Sequence, residues 1–462
     1  MTNDFFQQKP RDYSPINTKY RSINSQIPVT DSNLIFEKLA KYEVRSMHGS
    51  LPVVWDRAEG FQVYDLWGNK WIDFTSTIFV ANAGHANKRI MDSVNTQLNK
   101  PLVHCYNFAT EIRANYLEYL INNTPDQYEK AYLVSTGSEA TEAALKLMRM
   151  YSSQFNKKKL GIICFEGNYH GRTMGAQMMS HNPAAKEWIG YHDPNIYHLP
   201  FPYPWNINAV KNPKEFFIKS INDLIEKHSI DPLDDISGFM IETFQGWGSV
   251  FYPPEFVQEI EKFSKENNIL VCYDEMQAGF GRTGKLFGYM HYNIQPDLLC
   301  CGKGISSGFP LGLVLGPNKV MEIPAVGSMS STNSANPISC AAGLSSLKAI
   351  IEDGLLENSK ILGNIFHEKL NEIMNNYPKQ ISHILGEGLV AAIHFNDEKG
   401  SPLIDLANEI CFDCMSKGLL VVRTGRESIK LAPPLCINDE ALIEGLEVLE
   451  EALSLNVNQK NE

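Results

Sequence analysis

No run in this chain approaches the roughly 20 consecutive apolar residues that a membrane-crossing helix needs, so none is expected. Positive charge is in deficit. Lys and Arg number 41 against 53 Asp and Glu, a net charge of -12. That disfavours a general binder of nucleic acid or anionic membrane but leaves room for a local basic pocket. Residues 1–19 lack the apolar core of a secretion signal. The nine cysteines follow no regular spacing. Cys164, Cys272, Cys300 and Cys301 fall inside apolar runs and read as buried, reduced thiols of a cytoplasmic protein. Adjacent Cys300 and Cys301 would face opposite sides of a strand, which suits neither a simple disulfide nor a metal site, and no metal is expected. No G-x-G-x-x-G follows a strand, which argues against a dinucleotide-dependent dehydrogenase. Internal repeats and low-complexity segments are absent as well.

What is present is a long chain of ordinary globular composition. Its 462 residues are 43% hydrophobic and 20% charged, which points to two domains or three. Residues 1–30 are polar and read as an arm or a disordered lead. Residues 31–75 contribute to a small domain, with strands near Val63 and Lys70 flanking a turn at Leu66-Trp67-Gly68-Asn69. Residues 76–337 alternate apolar strands with helices, the pattern of a mostly parallel sheet covered on both faces. Strands are expected at 130–136, 160–165, 236–241, 269–273, 298–301 and 311–315, and helices at 138–151 and 254–267. Residues 338–462 read as a C-terminal α+β part of the small domain, beginning with helices at 338–352 and 358–377.

The most informative residue is Lys303. A strand-like run, Leu298-Leu299-Cys300-Cys301, delivers it into a turn between Gly302 and Gly304. A second apolar strand ends on Asp274. A lysine and a carboxylate at the ends of two buried strands are what pyridoxal phosphate (PLP) chemistry needs. The lysine forms the Schiff base and moves protons, and the carboxylate keeps the pyridine nitrogen protonated. Ligands of open α/β sheets sit outside the carboxyl ends of the strands. Ser135-Thr136-Gly137-Ser138 joins a strand to a helix, where Gly137, Ser138 and the helix N-terminus suit a phosphate; an ordinary N-cap reads equally well. Tyr169 is placed to stack on a flat ring, and Gln277 to reach its oxygen. His170 and Arg172 read as residues that hold their loop, and Glu275 as half of a structural ion pair. Ser330-Ser331-Thr332-Asn333 forms a hydroxyl-rich loop suited to phosphate or to helix capping.

Taken in order, these segments resemble the class III aminotransferases, PLP enzymes of fold type I. The resemblance covers about 51–453. It rests on Ser135–Arg149, Tyr169-His170-Gly171, Glu242 with Gln245-Gly246, Asp274 through Gly284, Gly302-Lys303-Gly304, Thr332 with Asn336-Pro337, and Leu431-Ala432-Pro433-Pro434-Leu435. It implies an α/β fold with a large PLP-binding domain and a smaller α+β domain. It implies Lys303 as the catalytic residue. Gly137, Ser138, Tyr169, His170, Glu242, Asp274 and Gln277 would bind the cofactor with Lys303. Thr332 would reach the phosphate of a neighbouring subunit, so a homodimer with shared sites is implied, or a tetramer of such dimers, with the N-terminal arm crossing the interface. The small-molecule partners would be an amine donor and a keto-acid acceptor.

Three departures shape the substrate expectation. Many relatives carry a Glu after the Gln-Gly pair and an Arg before the Leu-Ala-Pro-Pro-Leu run, a switchable pair for two substrates. Here those positions hold Trp247 and Lys430, and lysine is a poor substitute for a bidentate guanidinium. Thr77 stands where relatives commonly have Gly, and Phe79 would add aromatic surface. Arg423, Arg426 and Lys430 lie close in sequence, either as a solvated basic turn or as a site for an anionic substrate group. The expected reaction is amino transfer from a small primary amine or ω-amino acid to pyruvate or 2-oxoglutarate. The alternative is a PLP-dependent lyase or aminomutase acting on an amino-alcohol phosphate or aminophosphonate. A non-catalytic relative is disfavoured because Lys303 and Asp274 are intact.

Overall fold

Apolar runs without alternation form strands that are buried on both faces, and this is what the middle of the chain builds. In the computed structural model, which describes residues 10 and 13–458, the strands are, in chain order, β1 (Ile16–Asn17), β2 (Ser22–Ile23), β3 (Arg57–Glu59), β4 (Gln62–Tyr64), β5 (Lys70–Asp73), β6 (Lys130–Val134), β7 (Gly161–Phe165), β8 (Ile196–Leu199), β9 (Ile236–Glu242), β10 (Phe244–Gln245), β11 (Val250–Phe251), β12 (Leu270–Asp274), β13 (Leu298–Cys301), β14 (Gly312–Gly316), β15 (Ile381–Glu387), β16 (Val390–Phe395), β17 (Leu419–Leu420), β18 (Val422–Arg423) and β19 (Ser428–Leu431).

The chain divides into two compact units. The larger comprises Lys88–Gly246 and Val250–Gly354. Its seven-stranded sheet runs in the order β6-β14-β13-β12-β9-β7-β8. All neighbours are parallel except β14, which is antiparallel to β13 and to β6. Two reversals leave β6 parallel to the rest, so six strands end at one edge. Every residue of β7, β9, β12, β13 and β14 is buried. The helix Gly137–Ser152 lays Ala140, Ala143, Ala144, Leu147 and Met148 into this core, the spacing of one helical face. Thr136 and Glu139 close its start as a capping box.

The smaller unit comprises residues up to Asn87, Trp247–Ser249 and Leu355 onward. One sheet there runs β1-β2-β5-β4-β3, with β17 parallel to β5; the other is antiparallel, β15-β16-β19-β18. Trp71, fully buried, anchors the first sheet and donates its indole N–H to the Met415 carbonyl at 2.8 Å.

Several expectations meet a different structure. Residues 1–9, 11 and 12 of the expected arm lie outside the described residues. Within 13–30 the chain is a paired hairpin, not a disordered lead: β1 pairs with β2, and β2 with β5. Polar composition concealed it because these strands are two residues each. The helix Pro337–Glu352, assigned from sequence to the small domain, lies in the larger unit, against helices Lys88–Leu98 and Glu111–Asn122. Its small residues are buried almost all round, which a chain-order reading cannot locate. Strand β8 was not expected; its residues are mostly half-buried, with weak alternation.

Candidate active site

In the larger unit the sheet brings the expected residues to one edge. Asp274 is the last residue of β12, in register with Glu242 at the end of β9 and with Cys300 on β13. Lys303 opens the turn after β13 at a positive φ of 47°. The loop after β7 carries Tyr169 and His170, and Gly137 and Ser138 begin the helix after β6. Together with Gln277, these residues line one cavity of about 220 Å³. Thr332 does not line it. That residue is exposed, on an open depression shared with Ser135, Thr136 and Asn333, and its carbonyl oxygen lies 2.8 Å from His104 Nε2.

The carboxylates differ in their surroundings. Asp274, 5% exposed, holds His170 Nδ1 at 2.9 Å through Oδ2 and accepts the Met276 N–H at 3.0 Å through Oδ1. Glu242 accepts the Tyr169 N–H at 3.0 Å and the Gly246 N–H at 3.2 Å. Burial, with the nearby charge of Asp274, pushes Glu242 up to about 8. Glu242 thus anchors two loops while lining the cavity. The Lys303 amine is pulled below its ordinary range by enclosure, against the opposing pull of Asp274 and Glu242. A larger share of neutral amine is the result. Glu275 is not half of the ion pair expected for it. Its carboxyl accepts the Thr243 hydroxyl at 2.6 Å and the Gly288 and Tyr289 amides at 2.8 and 2.7 Å, and burial raises it to about 7.

The site fits PLP on its own chemistry. A half-buried amine sits in one cavity with a buried carboxylate, and the first turn of a 16-residue helix opens on the same space. Such a turn presents amides without intrahelical partners, suited to a phosphate. A Cβ at position 137 would lie 2.9 Å from Met276 Sδ, so any larger residue there would have to push the Met276 side chain aside. Tyr169 is 46% exposed, with the Arg172 guanidinium 5.6 Å from its ring centre. Sequence reasoning passed over the side chains of Asn168 and Gln245. Both are buried behind His170, and the Gln-Gly pair was their one visible signal.

The four expected substrate residues all lie in the smaller unit. Lys430, 5% exposed, holds its ammonium 4.5 Å from the ring centre of buried Phe79. Trp247 is half-buried, with the Arg426 guanidinium 3.5 Å from its ring centre and His394 edge-on at 5.3 Å. Thr77 is exposed and lies in a left-handed turn in which Ser76, Thr77, Ile78 and Phe79 all have positive φ. The basic cluster read from sequence divides. Val422 pairs with Lys430 and Arg423 with Ile429, so Arg423 and Lys430 occupy opposite faces of the ladder. Arg423 donates to Asn408 Oδ1 at 2.5 Å, and Arg426 lies 3.3 Å from Glu427.

Comparison with known proteins agrees with this geometry. The family described as aminotransferase class-III matches residues 44–453. An acetylornithine aminotransferase of Caldanaerobacter subterraneus is 30% identical over 87% of this chain and 95% of its own length. A 4-aminobutyrate aminotransferase of Mycobacterium leprae is 30% identical over 94% of this chain and 98% of its own. The crystal structure of a transaminase from the marine bacterium Virgibacillus superposes with a TM-score of 0.83 at 25% identity, covering 92% of this chain and 99% of that one. These relatives are aminotransferases and lend no support to the lyase alternative. The chain belongs to the class III aminotransferases and is a PLP-dependent transaminase of fold type I.

Proposed function

We propose that this transaminase takes the amino group of a small ω-amino donor bearing a carboxylate and passes it to a keto acid, pyruvate or 2-oxoglutarate. The observation that carries the reading is the single cavity shared by Lys303, Asp274, Glu242 and the helix start at Gly137-Ser138. The donor class follows from the two curated relatives, both named for substrates with a terminal amino group, and from the buried Lys430 ammonium.

Bound PLP supplies an electron sink for the charge left when a proton leaves the donor's amine-bearing carbon. The chain's residues do the rest. Lys303 Nζ, biased toward its neutral form, would hold the cofactor and would move the proton on and off the donor's amine-bearing carbon. Asp274, held by His170, would pair with the cofactor's ring nitrogen. Gly137 and Ser138 would hold the phosphate, Tyr169 would cover the ring, and Gln277 would meet its hydroxyl. Lys430, whose ammonium lies beside the Phe79 ring, would receive the donor's carboxylate, with Trp247, Phe79 and Thr77 as the other expected substrate contacts. Neither Trp247 nor Lys430 reproduces the two-substrate switch of many relatives, so pyruvate is as good an acceptor as 2-oxoglutarate. Thr332 would reach the phosphate in a second copy of the chain, so the working form would be a dimer, acting in the cytoplasm.

The test is one half-reaction. PLP-loaded enzyme is mixed with ω-amino acids, diamines, taurine or aminophosphonates without a keto acid. Loss of the visible cofactor absorbance without free ammonia or phosphate supports the reading and names the donor. Release of ammonia or phosphate with the absorbance restored would overturn it.

A further inference from the structure

Behind Asp274 runs a chain of buried side chains whose hydrogen-bond directions can be deduced one after another. Its outer end is the Glu166 carbonyl, which can only accept a hydrogen bond. Gln245 touches that oxygen through Nε2, so the amide must turn its N–H₂ there. The Gln245 oxygen then faces Tyr203, whose hydroxyl donates to Oε1 at 2.7 Å. The second Gln245 N–H donates to Asn168 Oδ1 at 3.2 Å. That contact turns the Asn168 amide nitrogen toward His170 Nε2, at 3.4 Å. An amide N–H₂ can only donate, so Nε2 must be the bare, accepting nitrogen. The imidazole proton is left on Nδ1, which meets Asp274 Oδ2 at 2.9 Å. The Tyr252 hydroxyl also neighbours Asn168 but can donate or accept, so it imposes no direction.

A second feature shows that this chain of contacts is built into the fold. Gly167 has a φ of +84°, and a Cβ there would lie 2.5 Å from the Tyr203 hydroxyl and 2.8 Å from Gln245 Nε2. Any larger residue would displace the link on which the directions depend. Tyr203 is steadied from outside by Trp205, stacked on it at 4.6 Å.

We infer that Asn168 and Gln245 are positioning residues that hold His170 as the neutral Nδ1–H tautomer, so that Asp274 receives a hydrogen bond without losing its negative charge. An imidazolium at this place would cancel the carboxylate that the cofactor nitrogen needs. A neutral Nε2–H imidazole would present a lone pair to Asp274. The amide chain excludes both, because each puts a proton on Nε2 against the Asn168 N–H₂. The consequence for the cofactor rests on the assignment of Asp274 to the pyridine nitrogen; the tautomer itself does not.

Neutron diffraction from deuterium-exchanged crystals of the PLP-loaded enzyme near neutral pH tests the tautomer directly. Nuclear density on Nδ1 alone is expected, and density on Nε2 would overturn the inference whatever the enzyme catalyses. A variant tests the consequence. Asn168→Asp places an acceptor against Nε2 and draws a second proton onto the ring. The expected result is PLP binding weakened about tenfold, on the scale of lost orienting contacts behind a ligand, and a higher pH for the visible absorbance change of the bound cofactor. Asn168→Ser, which adds no charge, should move that pH less. If Asn168→Asp keeps both values at wild type, the chain does not set the charge at Asp274. An enzyme that never takes up PLP would instead refute the cofactor reading while leaving the neutron result interpretable.

Discussion

At the scale of single residues, Lys303 and Glu242 carry the sharpest expectations. Lys303→Ala should abolish the absorbance of the covalently held cofactor and lower turnover by at least about 10³-fold, within the range for a lost proton-transfer group. Wild-type activity in that variant would sink the catalytic assignment. Glu242 makes a prediction about pH. Its folded value, near 8, lies above the ordinary 4.5, so between those limits the folded chain binds more protons than the unfolded one. The Glu242 contribution to the stability of the cofactor-free protein therefore falls as pH rises through this window. Glu275, raised to about 7, adds to the same slope. Relative to wild type, Glu242→Gln should shift the slope of Tm against pH between 5 and 8 in the positive direction, measured by calorimetry. An unchanged slope would mean the Glu242 proton is not retained. Lys430→Ala should raise KM for carboxylate-bearing donors about tenfold, the cost of one charged hydrogen bond, and leave simple amines unaffected; equal effects on both would remove Lys430 from the substrate site.

At the scale of elements, the turn Ser76–Phe79 explains a departure that the sequence posed without answering. Thr77 occupies a place where relatives commonly have glycine, and its φ of 51° shows why glycine suits it. A left-handed conformation costs a non-glycine residue roughly 1–2 kcal/mol. The turn is held by its surroundings: Thr75 caps it by accepting the Thr77 N–H, and Ser76 donates its hydroxyl to the Ala432 carbonyl at 2.6 Å. Thr77→Gly should therefore stabilise the protein by up to about 1 kcal/mol after glycine's own entropic cost, read by chemical denaturation. Thr77→Ala should not. If the glycine variant proves less stable than the alanine variant, the strain is not there.

For the whole molecule, the proposed dimer makes an expectation about exposed apolar side chains in each unit. The smaller unit exposes Leu34, Tyr42, Val44 and Met47, and the larger exposes Leu98, Leu102, Val103, Tyr106 and Phe108. The proposed dimer would cover part of this surface. Sedimentation should show a particle of twice the chain mass or more, and Thr332→Ala should weaken PLP binding without dissociating it. A stable, active monomer would refute the shared site.

How much of this was legible in the chain depends on range. Strands β7, β9, β12 and β13 and the helix at Gly137 could be read because burial on both faces, or on one helical face, leaves a local pattern. The Lys303 turn and Asp274 at the end of β12 could be read for the same reason, since a strand's end is a local event. The arm's hairpin, the true home of the helix Pro337–Glu352 and the antiparallel β14 could not, because each depends on a partner distant in sequence. The same division runs through the site. Residue types and their order along the chain pointed by themselves to PLP chemistry, because it needs an amine, a carboxylate and a phosphate cradle at strand ends; the choice of transaminase over lyase came from the relatives. Only the tertiary structure decided that Asp274 would lean on His170, that His170 would be backed by Asn168 and Gln245, and that Arg423 and Lys430 would part to opposite faces. Hydrogen-bond direction and strand register arise between segments, and neither leaves a trace in composition or spacing.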